Sequence, residues 1–391
     1  MRILFTFAGG RGHFDPLAPI ARAAEAAGHQ VAVGCRSSMI PTIQADGFAV
    51  FSAQTDRDVP PKRLPLLELD PDREDRDLRD GFAGWMARTR TTGVRELCES
   101  WQPDLLVCDE TDFGAMIAAE RLGIPYASVL VLVAGSFARP ELLADTLNQL
   151  RAEQGLPVDP ELAMLSRHLV LSPGPVSFRD PAYPLPDTAH PLGPSPSRAS
   201  DIDHPAIDWL ASRTGNPTVY FTLGTIFNLE SGDLFSRVLT GITELDVNLL
   251  VTVGAHIDPE EFGPQPPNVR VERFVPQAAV LPYCDLVVSH GGSGSVLGAL
   301  AHGLPMVLLP MGADQPANAA RCADLGIAEV LDAVRVTADG VREAVAAGLA
   351  DPDRRRAAVR LRDEIATLPG PEYAVTLLER LHTTRGPVVA S

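Results

Sequence analysis

Three segments of this sequence carry residue types that could do chemistry. The first is the turn Gly9-Gly10-Arg11-Gly12-His13-Phe14-Asp15-Pro16, which follows a short apolar run and precedes a helical pattern. An imidazole at the tip of a strand, with an ordinary pKa near 6.5, suits general base catalysis, so His13 is the candidate base. Gly10 and Gly12 begin a dinucleotide fingerprint, but Asp15 holds the third glycine position and leaves it incomplete. The second segment is Val107-Cys108-Asp109-Glu110-Thr111-Asp112, where three carboxylates follow another apolar run. Asp109 stands nearest the strand and could hold the imidazole in one tautomer and stabilise the imidazolium that forms. Asp112 fits better as the N-cap of a helix beginning at Phe113.

The third segment is Ser289-His290-Gly291-Gly292-Ser293-Gly294-Ser295, between a predicted strand at Leu286 to Val288 and a helix running to His302. Backbone N–H groups at the positive end of a helix, with no side chains over them, make an anion site that needs neither lysine nor metal. A diphosphate is the expected guest. The hydrolase elbow G-x-S-x-G does not fit, because Ser295 follows Ser293 and Leu297 follows Ser295. The phosphate-loop pattern ending in Gly-Lys is absent, since Lys62 is the only lysine and lies in a Pro-Pro-Lys-Arg context. Asp70/Asp72 and Asp201/Asp203 mimic a metal-binding D-x-D pair, yet both fall in proline-flanked polar segments away from the glycine run, and no metal is expected.

These segments must be held by a scaffold, and its pattern is legible. Strands are predicted at Ile3 to Phe7, Val31 to Gly34, Leu105 to Cys108 and Ala127 to Val131, with helical spacing at Leu17 to Ala27 and Met116 to Leu122. The alternation restarts with Thr218 to Leu223, Val247 to Val253, Leu286 to Ser289 and Val307 to Leu309. Such alternation implies parallel sheets covered by helices, hence an α/β fold of two facing Rossmann-like doubly wound domains with a cleft between them. Ligands of such sheets sit at the carboxyl ends of the strands. The proline-rich stretch from Pro173 to Pro205 reads as an extended linker. Glu68 to Asp80, with seven acidic and three basic residues around Pro71, reads as a solvated loop or a lid.

With 391 residues and 45% hydrophobic side chains the chain can bury two cores. Its formal charge of -17 would repel a phosphate backbone, so nucleic acid is not an expected partner. Cys35, Cys98, Cys108, Cys284 and Cys322 are scattered through apolar runs and read as reduced, buried thiols. No apolar run reaches the roughly 18 residues of a membrane span, and the first residues do not read as a signal peptide. A cytoplasmic location is expected.

Taken together, the segments resemble a known family, the inverting nucleotide-sugar glycosyltransferases of GT-B architecture, in particular their bacterial natural-product branch. The resemblance runs through the whole chain and is most specific from Arg273 to Gln315: Phe274-Val275-Pro276-Gln277, His290-Gly291-Gly292, Gly303-Leu304-Pro305, Pro310, and Asp314-Gln315. It implies that Phe274, Val275 and Gln277 belong to the donor site, the first two bordering the base. His290, the amides of Gly291, Gly292, Ser293 and Gly294, the Ser295 hydroxyl and Thr225 would hold the diphosphate, and Asp314 and Gln315 the sugar hydroxyls. His13 matches the family's base and Asp109 its orienting acid. Gly298 stands where plant relatives carry a ribose-binding glutamate. The loss of a hydrogen bond worth roughly 0.5–1.5 kcal/mol to a 2'-hydroxyl favours a dTDP-sugar over a UDP-sugar.

The resemblance thus implies metal-independent transfer of a deoxysugar from a dTDP-sugar co-substrate, with no cofactor, to a hydroxyl of a polyketide-like aglycone in antibiotic biosynthesis. Phe14, Phe82, Trp85, Met86 and Phe113 are candidates for the acceptor pocket. Two other readings stand beside this one: a sugar-nucleotide epimerase of the same architecture, and a degenerate transferase that only binds. The expected organisation is an acceptor domain over 1–192, a linker over 193–206, a donor domain over 207–370, and a helix and tail over 371–391 that return to the first domain. Expected partners are a small-molecule donor and acceptor, with a homodimer as the assembly.

Overall fold

The computed structural model describes residues 1–56, 62–193 and 204–390. They form two compact units: 1–56, 71–193 and 368–390 make one, 62–70 and 204–367 the other. Of the proline-rich stretch, the residues up to 193 belong to the first unit; most of the rest, with the Asp201/Asp203 pair, lies outside the described residues.

The first unit is built on seven parallel strands: β1 (Arg2–Thr6), β2 (Gln30–Arg36), β3 (Val50–Gln54), β4 (Leu105–Asp109), β5 (Tyr126–Val129), β6 (Leu169–Pro173) and β7 (Ala189–Leu192). Their order is β3-β2-β1-β4-β5-β6-β7. β1 and β4 are covered on both faces, so they read as unbroken apolar runs; Ile3, Leu4, Phe5, Leu105, Leu106 and Val107 are fully buried. The chain winds outward from β1 in one direction and from β4 in the other, which opens a crevice beyond their carboxyl ends. Register places Thr6 beside Cys108. The turn with His13 and the end of β4 with Asp109 therefore leave the same edge.

β7 arises inside a stretch whose prolines read as a linker. It lies at the edge of its sheet, where Pro191 can do without a ladder hydrogen bond. The acidic segment also differs from expectation: it is helical from Pro71 to Arg76 and continues as a wider π-type helix over Asp77–Met86. Pro71 sits in the first turn, where its missing N–H costs nothing. Asp72 and Glu74 lie at the positive end of that first helix and Arg76 at the negative end. The helix Pro371–Thr384 closes the first unit, with Leu377, Leu378 and Leu381 in one core with Ile3, Phe5 and Phe7.

The second unit has six parallel strands: β8 (Thr218–Thr222), β9 (Asn248–Thr252), β10 (Val269–Glu272), β11 (Leu286–Ser289), β12 (Met306–Leu308) and β13 (Ala328–Val330). Their order is β10-β9-β8-β11-β12-β13, so the reversal point lies between β8 and β11, with Thr222 beside Ser289. All five cysteines are buried and unbridged. No helix among the described residues is long and apolar enough to cross a membrane.

Candidate active site

In the first unit the site is assembled around one carboxylate. Asp109 ends β4, is wholly buried, and is satisfied from three directions. The Ala8 N–H donates to its Oδ2 at 2.7 Å, while the N–H and hydroxyl of Thr111 donate to Oδ1 at 2.7 and 2.5 Å. His13 Nδ1 lies 3.4 Å from the same Oδ1 and 3.2 Å from Thr111 Oγ1. Burial alone would push this carboxyl up. The adjacent imidazole and the hydrogen bonds from Thr111 and Ala8 outweigh it and hold Asp109 below the usual range. The result is a buried anion beside a half-exposed imidazole, an arrangement that can orient a base and steady its charged form.

The imidazole is packed as well as bonded. A Cβ added to Gly9 would stand 2.1 Å from His13 Cδ2 and 2.3 Å from Nε2, so the ring lies against bare backbone there. Its other neighbour is Phe82, stacked nearly parallel with ring centres 6.0 Å apart. Behind β4, Asp112 caps the helix Phe113–Leu122 and forms a buried ion pair with Arg90, whose Nε donates to Oδ1 at 3.1 Å.

In the second unit the glycine turn leaves β11 and enters the helix Ser293–Ala301, with Gly292 as its N-cap. Gly291 has φ +85°, which a Cβ would oppose. His290 is buried between glycines: a Cβ on Gly224 would meet its ring at 2.8 Å and one on Gly292 at 2.6 Å. Burial lowers the pKa of His290 to about 4, so the ring is neutral near pH 7, and its Nδ1 has no hydrogen-bond partner in the described structure. Gly224 follows β8, so the exposed Thr225 stands next to this imidazole contact. Asp314 stands at the N-terminal boundary of the helix Gln315–Asp324, and its side chain receives the Ser293 hydroxyl at 2.6 Å and the Asn318 amide at 2.7 Å. Burial raises the Asp314 pKa, against the pull of those two hydrogen bonds. Helix N–H groups and a neutral imidazole at one strand end can receive an anion.

Comparison with known proteins shows which family the chain belongs to. Residues 236–381 match the family described as Erythromycin biosynthesis protein CIII-like, C-terminal domain. Over 97% of its length the chain is 30% identical to 4'-demethylrebeccamycin synthase of Lentzea aerocolonigenes, spanning 99% of that protein. The chain belongs to the antibiotic-pathway family of GT-B glycosyltransferases. It is also 29% identical, over 98% of its length and 99% of the relative's, to 3-alpha-mycarosylerythronolide B desosaminyl transferase of Saccharopolyspora erythraea. The glycosyltransferase VinC, solved in complex with dTDP, superposes with TM-score 0.77 at 26% identity, covering 98% of this chain and 100% of that one.

Within this glycosyltransferase the residues singled out from sequence fall into distinct environments. Phe14 and Phe113 do not line a pocket: both are fully buried, Phe14 against Phe7 and Phe48 and Phe113 in the core behind β4. Phe82 stacks on the His13 ring and Trp85 is 57% exposed, so these remain acceptor candidates. Phe274 is 55% exposed after β10, whereas the Val275 side chain is buried. Gln277 opens a short helix, and its Nε2 fills the space above Gly298, 2.3 Å from where a Cβ would stand. Gln315 is buried with Oε1 accepting from the Met311 N–H at 2.8 Å, so that oxygen is already engaged. Ser295 is buried in the first turn of its helix. No cluster of three metal-ligating side chains occurs among the described residues.

Sequence reasoning missed Gly9, Thr111 and Asn318. Asn318 donates to the Gly291 carbonyl at 3.0 Å and so ties the glycine turn to Asp314. Its only trace in the sequence is its place one helical turn after Asp314, at i+4.

Proposed function

We propose that this enzyme inverts configuration as it moves a deoxysugar from a dTDP-sugar to a hydroxyl of a natural-product aglycone in antibiotic biosynthesis. The observation that carries the reading is the His13–Asp109 pair at the reversal point of the first sheet, with a glycine turn and helix N-terminus at the same point of the second. The first unit takes the acceptor, with Phe82 and Trp85 beside the base, and the second takes the donor. His13 Nε2 removes the acceptor proton as the oxygen forms its bond to the anomeric carbon from the face opposite the diphosphate. The bond from that carbon to the phosphate oxygen breaks, and its electron pair leaves on dTDP. Fixed N–H dipoles of Gly292 to Ser295 and the His290 ring meet that charge, a preorganised term of the kind that usually dominates catalysis. Thr225 serves the same diphosphate, Phe274 and Gln277 the nucleoside, Asp314 and Gln315 the sugar. The absent side chain at Gly298, with Gln277 in its place, supports a 2'-deoxyribose. The names of the relatives support the same donor and acceptor classes. An epimerase would need no acceptor, and a binding protein would need no base.

The test is release of dTDP from a dTDP-deoxysugar with and without a polyketide aglycone. Release that requires both substrates, and that falls about 10²–10⁴-fold in His13→Ala while dTDP affinity is retained, is expected. Acceptor-independent release, or undiminished turnover by His13→Ala, would overturn the reading. Activity is expected to survive EDTA; loss on chelation with recovery in magnesium would show that the helix terminus does not suffice.

A further inference from the structure

The base and its carboxylate do not meet squarely. His13 Nδ1 is 3.4 Å from Asp109 Oδ1 but 3.2 Å from Thr111 Oγ1, and the threonine hydroxyl is 2.5 Å from that same Oδ1. A hydroxyl has one proton to give and two lone pairs. The short contact to a carboxylate that can only accept takes the proton, so the hydroxyl can face Nδ1 only as an acceptor. Nδ1 must then carry a hydrogen, and the proton-accepting lone pair falls on Nε2. Thr111 is 3% exposed, on the short stretch between β4 and the helix Phe113–Leu122. Its own N–H is spent on Asp109 at 2.7 Å, which fixes the hydroxyl over the carboxylate. Ala8 N–H holds the other oxygen from β1's side, so the carboxylate cannot turn to take Nδ1 directly without giving up a bond.

We propose that Thr111 is a positioning residue for transfer, its hydroxyl bridging His13 Nδ1 and Asp109 Oδ1 so that the ring is held as the Nδ1–H tautomer. This rests on the reading of His13 as the base. Asp109 supplies the charge and Thr111 the geometry.

The test compares wild type with Thr111→Val, which keeps the shape and loses the hydroxyl, Thr111→Ser, which restores it, and His13→Ala. Each is assayed for kcat and KM of both substrates, and each folded protein containing His13 is labelled with 15N-histidine to read its tautomer above the imidazole titration. Expected are an Nδ1–H ring in wild type and in Thr111→Ser, and a growing Nε2–H population in Thr111→Val. With that shift kcat should fall about tenfold or more in Thr111→Val, return to within about twofold in Thr111→Ser, and leave donor KM unmoved. A wild-type ring that is Nε2–H overturns the proposal even if Thr111→Val does not fold. Thr111→Val that keeps its rate and tautomer, or slow turnover that serine does not rescue, overturns it as well. If those outcomes coincide with an inactive His13→Ala, the base survives and only the bridge is lost; an active His13→Ala removes the base itself.

Discussion

The turn after β1 and the turn after β11 are built alike and place their histidines in opposite surroundings. Each leaves a central parallel strand at the reversal point of its sheet, and each presses an imidazole against glycine backbone. His13 has a buried carboxylate and a hydroxyl on its Nδ1 side, and it is half-exposed. His290 has neither: it is buried, it is driven to about 4, and a nine-residue helix starts three positions later. The helix holding His13 is only four residues long. The same side chain thus stands beside a buried carboxylate in one turn and is kept neutral by burial in the other. What differs is the second neighbour of the ring and the helix that the turn enters.

The glycines give the sharpest way to break this comparison. Gly9→Ala forces a methyl into the His13 ring and is expected to lower kcat about 10²–10⁴-fold, as loss of a general base would, while dTDP affinity holds. Gly224→Ala, at φ +72° and 2.8 Å from the His290 ring, is expected to do the reverse. It should weaken dTDP by about 10- to 100-fold, equivalent to one charge-assisted hydrogen bond. Calorimetric titration of dTDP beside turnover at saturating donor reads both. If either alanine moves the other's parameter, the two turns are not the separate devices described.

A smaller effect concerns pH. Beside Asp109, Glu110 accepts the N–H groups of Val131 and Leu132, and burial raises it to about 7, against the pull of Arg179 and those two bonds. Its folded pKa lies above the unfolded one near 4.5, so its stability contribution is full below pH 4.5 and is lost as pH rises through 7. His290 runs the other way: its folded value lies below 6.5, so its contribution is full above 6.5 and is lost as pH falls toward 4. Glu110→Gln should therefore hold its Tm between pH 5 and 7.5 better than wild type, by about 2–4 °C for each kcal/mol released. Parallel Tm curves for the two proteins would show that Glu110 does not carry a raised pKa.

The elements that position chemistry were the most legible. β1, β4, β8 and β11 are central, buried on both faces and written as unbroken apolar runs, and the glycines after them mark where each chain must turn. β7 and β10 lie at sheet edges and β13 is a three-residue edge strand, so their patterns are short, mixed or interrupted by proline. His13 and Asp109 could be placed side by side from the sequence, because the parallel strands β1 and β4 deliver their carboxyl ends to the same edge. Thr111 could not, because a hydroxyl in a turn is ordinary until its distances to two partners are known. Phe14 and Phe113 show the converse limit: an aromatic near a catalytic turn looks the same in sequence whether it faces the core or a ligand.

The return of the last helix to the first unit has a consequence for the order in which the molecule matures. Leu377, Leu378, Leu381 and Val388 share a core with Ile3 and Phe5, and Val388 and Ala390 donate to the carbonyls of His168 and Asp187. A ribosome that has released residues 1–193 has therefore not yet supplied all of the wall that this unit needs. At roughly 5–20 residues per second the missing pieces arrive on the order of ten seconds or more later, after the whole of 204–367. In the interval the unit carrying His13 waits with an apolar flank uncovered, while the unit carrying His290 can close behind it. Birth order and completion order are reversed, and the unit carrying His13 closes after the unit carrying His290.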